Sequence, residues 1–183
     1  MESFTQLDPA TLTVDDLARG RDQALAQIAW VRDYSLQLIE SIPDDLWYVR
    51  PAGSVSHVAW QVGHLAVSQY GLMLFRQRGR SPGDLDLMPG WLRKQFGRGT
   101  LPSTTADSMP SPAELLDRLS KIHAQSLAEV RELPVESLVE PIDMPYTAYP
   151  IKLGALLFAP IHESLHAGQI GLLRRLHGLE PIR

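Results

Sequence analysis

Apolar residues recur at three- and four-residue steps in four stretches of the chain, and nowhere do they alternate as a half-buried strand requires. In the first stretch Val14, Leu17, Ala24, Leu25, Ile28, Val31, Leu38, Ile39 and Ile42 form one helical face. Thr13 with Asp16 three residues on makes a capping-box start, and Pro43 ends the helix. The second stretch, from about Ser56 to Arg78, is capped by Ser54 or Ser56 and stopped by Gly79. It is apolar nearly all round except for one stripe, His57, Gln61, His64, Ser68, Leu72 and Phe75. A helix of that kind is buried and lines a cavity with its semi-polar stripe. Ser111-Pro112-Ala113-Glu114 opens a third helix with Leu115, Leu116, Leu119, Ile122, Leu127 and Val130 on its apolar face, closed by Pro134. The fourth helix runs from near Ile151 to Gly178, bent at Pro160 or starting in earnest there. The pattern predicts an all-α protein, a four-helix bundle with long inter-helix connections, forming one domain over residues 1–183. The longest connection, 80–110, is either a pocket wall or a cross-over strap, with Trp91 to Phe96 as a short helix.

The chemistry concentrates on the fourth helix. At about 100° per residue, His162 and His166 lie one turn apart. With His162 at zero, Ala155, Phe158, Leu165, Ile170, Leu172, Leu173 and Leu176 fall within roughly 80° of it. Glu163, Ser164, Arg174 and Arg175 fall on the other half. Both histidines are therefore expected in the core, where an imidazole needs a partner. Other core side chains are one solution, and a shared metal ion is the other, since i, i+4 spacing lets two imidazoles reach one ion. His64 can join them if the second and fourth helices are neighbours. Three neutral imidazoles around a divalent ion leave a position open, which is a catalytic pattern. His123, at the edge of the third helix's apolar face, reads as a surface or helix-contact residue rather than a ligand. Pro160, Ser164, Ala167, Gly168 and Gly171 form a stripe of small residues that lets another helix approach closely. The first or third helix could fill it, or a two-fold mate, with exposed Arg174 and Arg175 as the rim; a homodimer is the expectation.

Composition narrows the classes. Of 183 residues, 44% are hydrophobic and 21% charged, ordinary values for a globular protein. Net charge is −4 with no basic block, so no nucleic-acid surface is indicated. Without cysteine there is no thiolate ligand and no cysteine nucleophile. No segment approaches the roughly 20 apolar residues of a membrane span, and no leader-like start precedes the first helix, so the cytoplasm is the default.

Trp60-Gln61-Val62-Gly63-His64-Leu65, followed about a hundred residues later by His162-Glu163-Ser164-Leu165-His166-Ala167-Gly168-Gln169-Ile170, resembles the DinB/YfiT-like superfamily over most of the chain. The resemblance implies a four-helix bundle holding one divalent ion, zinc or nickel foremost, on His64, His162 and His166. It also implies a small-molecule substrate and a low-molecular-weight thiol, since characterised relatives include thiol-dependent transferases and isomerases. Groups that could line the pocket or brace the ligands are His57, Gln61, Ser68, Phe75, Glu163 and Gln169. His57 stands where such relatives often carry a small polar residue, and it reads as a pocket group or a helix cap. A metal-dependent enzyme acting through that thiol or through water is the leading reading. A non-catalytic metal or small-molecule binding module is the alternative, and a bundle with purely structural core histidines is the third. His162-Glu163-x-x-His166 also matches the zinc-hydrolase pattern with Glu163 as base. Positions 169 and 172 are Gln and Leu, however, and no substrate-aligning strand precedes the motif. Besides Glu163, only His57 and Tyr146 or Tyr149 suggest themselves as acid–base groups.

Overall fold

The computed structural model describes residues 8–105, 109–144 and 147–182. Thr13 opens α1 (Val14–Glu40) with a reciprocal capping box: Asp16 N–H donates to Thr13 Oγ1 at 3.2 Å and Thr13 N–H to Asp16 Oδ2 at 3.0 Å. The cap of α2 (Val58–Tyr70) is neither serine. His57 caps it, Nδ1 accepting from Trp60 N–H at 3.1 Å. Beyond Tyr70 the helix widens into a π-turn, Gly71–Phe75, continues as Arg76–Arg78 and stops at Gly79, whose φ of +78° suits glycine. A helical turn, Asp84–Leu87, leads to α3 (Gly90–Phe96). Then come α4 (Pro112–Glu132), capped by Ser111, and α5 (Lys152–Leu176). Helix α5 starts at Lys152 and continues unbroken through Pro160, with Ser164 Oγ donating to the Pro160 carbonyl at 2.8 Å. The fold is all-α. Among the described residues the only β feature is an isolated antiparallel bridge, Pro141 to Ile151, and no helix is long and apolar enough to cross a membrane.

Directions follow from who meets whom. Along α1 and α5 the partners rise together, from Gly20 beside Leu153 to Arg32 with Glu163 and the Leu38 carbonyl with Arg174, so these helices are parallel. Helix α2 runs against α5, because Gln61 meets Gln169 whereas Gln77 meets Lys152. It runs with α4, through Gln69 to His123 and Arg78 to Glu129. Two consecutive long helices that are parallel cannot be joined by a short turn, since the chain must return about 30 Å along the bundle. That requirement accounts for the length of the 79–111 connection. It is a cross-over, and α3 within it also closes over α2, burying Leu92 and Phe96 completely.

The inward face of α5 differs from the wheel expectation. Leu165, Leu172 and Leu176 are exposed, and Glu163 and Arg174 are buried. Charge does not prevent burial when the charged group keeps hydrogen-bond partners, although Arg174 Nε is left without one. Arg174 Nη1 donates to the Leu38 carbonyl and Ser41 Oγ, both at 2.8 Å, and Nη2 to the Glu180 carbonyl at 2.9 Å. The arginine thereby ties down the end of α1 instead of forming an exposed rim. Parts of the small-residue stripe, Pro160, Ala167 and Gly171, pack towards α1, while Ser164 and Gly168 remain exposed. The first helix covers this part of the stripe, with Leu38 beside Gly171, and leaves Ser164 and Gly168 open.

Candidate metal centre

Helices α2 and α5 bring His64, His162 and His166 together, with ring centroids 4.5–5.3 Å apart. One ring nitrogen from each lies within 4.8 Å of the other two. Two nitrogens on a tetrahedral zinc at about 2.0–2.1 Å stand about 3.4 Å apart, so small ring rotations close the set on an ion.

What aims the rings is hydrogen bonding at the far nitrogens. His64 Nδ1 lies 2.7 Å from the Phe96 carbonyl, which can only accept, so Nδ1 carries the proton and Nε2 is left bare. Gly63 makes this approach feasible: a Cβ there would overlap the Phe96 ring. Ser68 Oγ lies 3.2 Å from His64 Nε2, on the ligand side. His166 Nδ1 faces Gln61 Oε1 at 2.5 Å, and the Gln61 amide nitrogen reaches Ser56 Oγ and Gln169 Oε1, both at 2.9 Å. Trp60, one turn before His64, stacks flat on it at 4.6 Å and 7°, and its indole N–H donates to Thr100 Oγ1 at 2.9 Å. Phe158, one turn before His162, has its ring 5.8 Å away. The aromatic walls Trp60 and Phe158 were not singled out from the sequence as site residues, although i, i+4 spacing carries that signal. The Phe96 carbonyl had no signal, being backbone on another element.

Other candidates lie elsewhere. His57 is spent on the α2 cap, and its Nε2 sits 2.7 Å from the Ser103 carbonyl, so it braces the cross-over and does not face the histidines. Phe75 ends the π-turn, which adds a residue to the turn and rotates it off the His64 line; its ring stacks at 6.4 Å on Tyr70 and is exposed. Tyr149 packs with the distal cluster around Met144 and Leu153, and Tyr146 lies outside the described residues. His123 is a helix contact, Nδ1 3.0 Å from the Gln69 amide nitrogen.

Glu163 points away from the ion site despite following His162. Its carboxylate is gripped by Arg32 from α1, Nε to Oε1 at 2.6 Å and Nη2 to Oε2 at 2.7 Å, both side chains almost fully buried. Arg32 also donates to Gln69 of α2 at 2.8 Å and to the Leu119 carbonyl of α4 at 3.2 Å. One ion pair thus joins all four long helices, and its carboxylate is not placed to take a proton at the histidines.

Burial lowers the pKa of all three clustered imidazoles, and their mutual repulsion adds to it for two. His162 falls to about 4 and His166 to about 3, while His64 is lowered against an opposing effect of the Phe96 carbonyl. Neutral imidazoles are the ligating form, so the fold keeps the set ready at neutral pH. An unfolded histidine takes up its proton near 6.5, whereas the folded ones refuse it down to about 4. Stability of metal-stripped protein is therefore expected to decline as pH falls from about 6.5 towards 4, checked by denaturant unfolding across that range. With metal added, the ligands compete poorly with protons only below that window, so occupancy measured by dialysis should hold at about pH 5.5. Loss of metal already near pH 6.5 would contradict this reading.

The comparisons agree with this architecture. The family model described as the DinB superfamily matches residues 27–170. The chain belongs to the DinB superfamily. A conserved protein from Enterococcus faecalis of known crystal structure shares its fold, with a TM-score of 0.61 at 20% identity, covering 85% of this chain and 95% of that one. No curated protein matches the chain. Proteins of this superfamily typically bind metal, and among the described residues the His64, His162 and His166 cluster is the set that could do so.

Proposed function

We propose that His64, His162 and His166 hold one divalent ion, zinc or nickel, and that the protein is a metal-dependent transferase or isomerase using a low-molecular-weight thiol. The observation that carries the reading is the donor set: three neutral imidazoles, two with Nδ1 engaged by an oxygen of the protein. Such an ion lowers the pKa of a thiol or water that reaches it, supplying activation that no carboxylate near the histidines provides. Around it the chain supplies walls and orientation. Trp60 and Phe158 give apolar faces for a substrate, Ser68 offers a hydroxyl on the ligand side, and the cross-over holds the Trp60 indole through Thr100. The cytoplasm, where small thiols stay reduced, suits this chemistry. The zinc-hydrolase alternative loses its base, because Glu163 is committed to Arg32. The experiment is elemental analysis of purified protein, then a thiol-transfer screen before and after chelation. One equivalent of metal and chelation-sensitive transfer support the proposal. Metal without turnover on any thiol leaves the binding-module alternative, and no stoichiometric metal overturns both.

Assembly belongs to the same proposal, on a face that shares only Gly168 with the small-residue stripe. Ile161, Leu165, Leu172 and Leu176 are 54, 60, 48 and 44% exposed along one side of α5. Their spacing is symmetric about Gly168–Gln169, and Gly168 has open space where a Cβ would stand. Two copies crossing antiparallel there would set Leu165 against Leu172 and Ile161 against Leu176, the self-complementarity an isologous dimer needs. We place the homodimer contact on this face. Light scattering should find a dimer at micromolar concentration and a monomer for Leu165→Glu/Leu172→Glu; a monomeric parent, or an unchanged dimeric variant, refutes it.

A further inference from the structure

Gln61 is a buried amide, and its hydrogen bonds all run in one direction. Its Nε2 faces two oxygens, Ser56 Oγ and Gln169 Oε1, each at 2.9 Å, which uses both amide hydrogens. The Oε1 atom is thereby turned to His166, 2.5 Å from Nδ1. An amide oxygen can only accept, so His166 must present Nδ1–H to it, and its proton-free Nε2 is then the atom available on the other side of the ring. The reverse amide orientation would require Nδ1 to accept and would move the proton to Nε2, where a ligand needs a lone pair. We propose that Gln61 is the positioning residue of the site: it selects the Nδ1–H tautomer of His166 and aims its bare Nε2 at the point shared with His64 and His162.

The placement is economical in the fold. Gln61 lies on α2 one turn before His64, so the same helix that carries one of the three histidines also orients another from α5. Ser56 precedes the His57 cap of α2, and Gln169 follows His166 by three residues on α5. The amide is thus held from both sides of the α2–α5 contact. His64 is oriented by an equivalent device, the Phe96 carbonyl, with a backbone oxygen in place of an amide.

This proposal rests on the metal reading, and its test separates the two. Metal-free protein with 15N-labelled histidine is observed by long-range 1H–15N correlation at pH about 7.5, well above the ordinary imidazole pKa, so that each ring reports its tautomer. His166 in the parent is expected to be protonated at Nδ1 and bare at Nε2. Gln61→Leu should convert it to a mixture containing Nε2–H and weaken zinc, measured against a competing chelator, by about 10- to 100-fold, the usual effect of losing an outer partner of a ligating histidine. Gln61→Glu keeps an acceptor towards His166 and, with the Ser56 hydroxyl and a turned Gln169 amide donating to its other oxygen, should retain both the tautomer and zinc affinity. An Nε2–H tautomer of His166 in the parent overturns the assignment with no variant needed, so a poorly folding variant does not block the test. An unchanged tautomer and unchanged zinc affinity in folded Gln61→Leu overturn it as well. A tautomer lost on Gln61→Leu while no form binds zinc supports the role of Gln61 and overturns the metal reading instead.

Discussion

His166→Ala protein purifies without stoichiometric divalent metal. That is the expected result, and the loss should exceed the roughly 10- to 100-fold that follows removal of an outer hydrogen-bond partner, because one of three ligands is gone. His166 is the most demanding of the three to replace. Burial and the two neighbouring imidazoles hold its pKa at about 3, and its ring sits 4.5 and 4.9 Å from those of His162 and His64. The truncation also strands the Gln61 oxygen, at about 1–3 kcal/mol, so circular dichroism must show that the variant is folded. His123→Ala is the control, since that imidazole is half-buried, is lowered to about 4 by desolvation and bonds Gln69 away from the three histidines. Elemental analysis should find full metal in His123→Ala and none in His166→Ala. Equal occupancy in the two would remove the three-histidine assignment.

Breaking the Arg32–Glu163 pair is expected to cause the largest loss of stability. Glu163→Ala leaves a guanidinium with 3% side-chain exposure and no counter-charge, a situation that costs about 3–5 kcal/mol. The two remaining acceptors, the Gln69 amide oxygen and the Leu119 carbonyl, are not charged and cannot replace it. Replacing both partners by apolar residues, Arg32→Met with Glu163→Leu, should recover much of the loss, because the desolvation of two charges is then avoided. Denaturant unfolding of the parent, the single variant and the double variant measures this directly. If Glu163 were a catalytic base its alanine variant would keep near-parent stability and lose only turnover. A loss below about 1 kcal/mol would show that the pair is not buried as described.

The helical character of this protein is written locally. Thr13 with Asp16, and Ser111 with Pro112 and Glu114, mark helix starts whatever the surroundings, and apolar steps of three and four residues mark helical faces. The i, i+4 histidines on α5 and His64 on α2 were likewise legible, since spacing along a helix fixes which side chains share a side. Which side faces inward was not. Periodicity sorts residues by polarity, and polarity predicts burial only when buried charges lack partners. Glu163 and Arg174 have theirs on α1, at Arg32, Leu38 and Ser41, far away in sequence, and so they displaced Leu165, Leu172 and Leu176 to the surface. The same limit applies at the histidines. The sequence by itself determined that His162 and His166 share one side of a helix; that His64 meets them, and which tautomers they adopt, depends on the packing of α5 against α2 and of the cross-over, which brings the Phe96 carbonyl and the Gln61 amide within hydrogen-bonding distance.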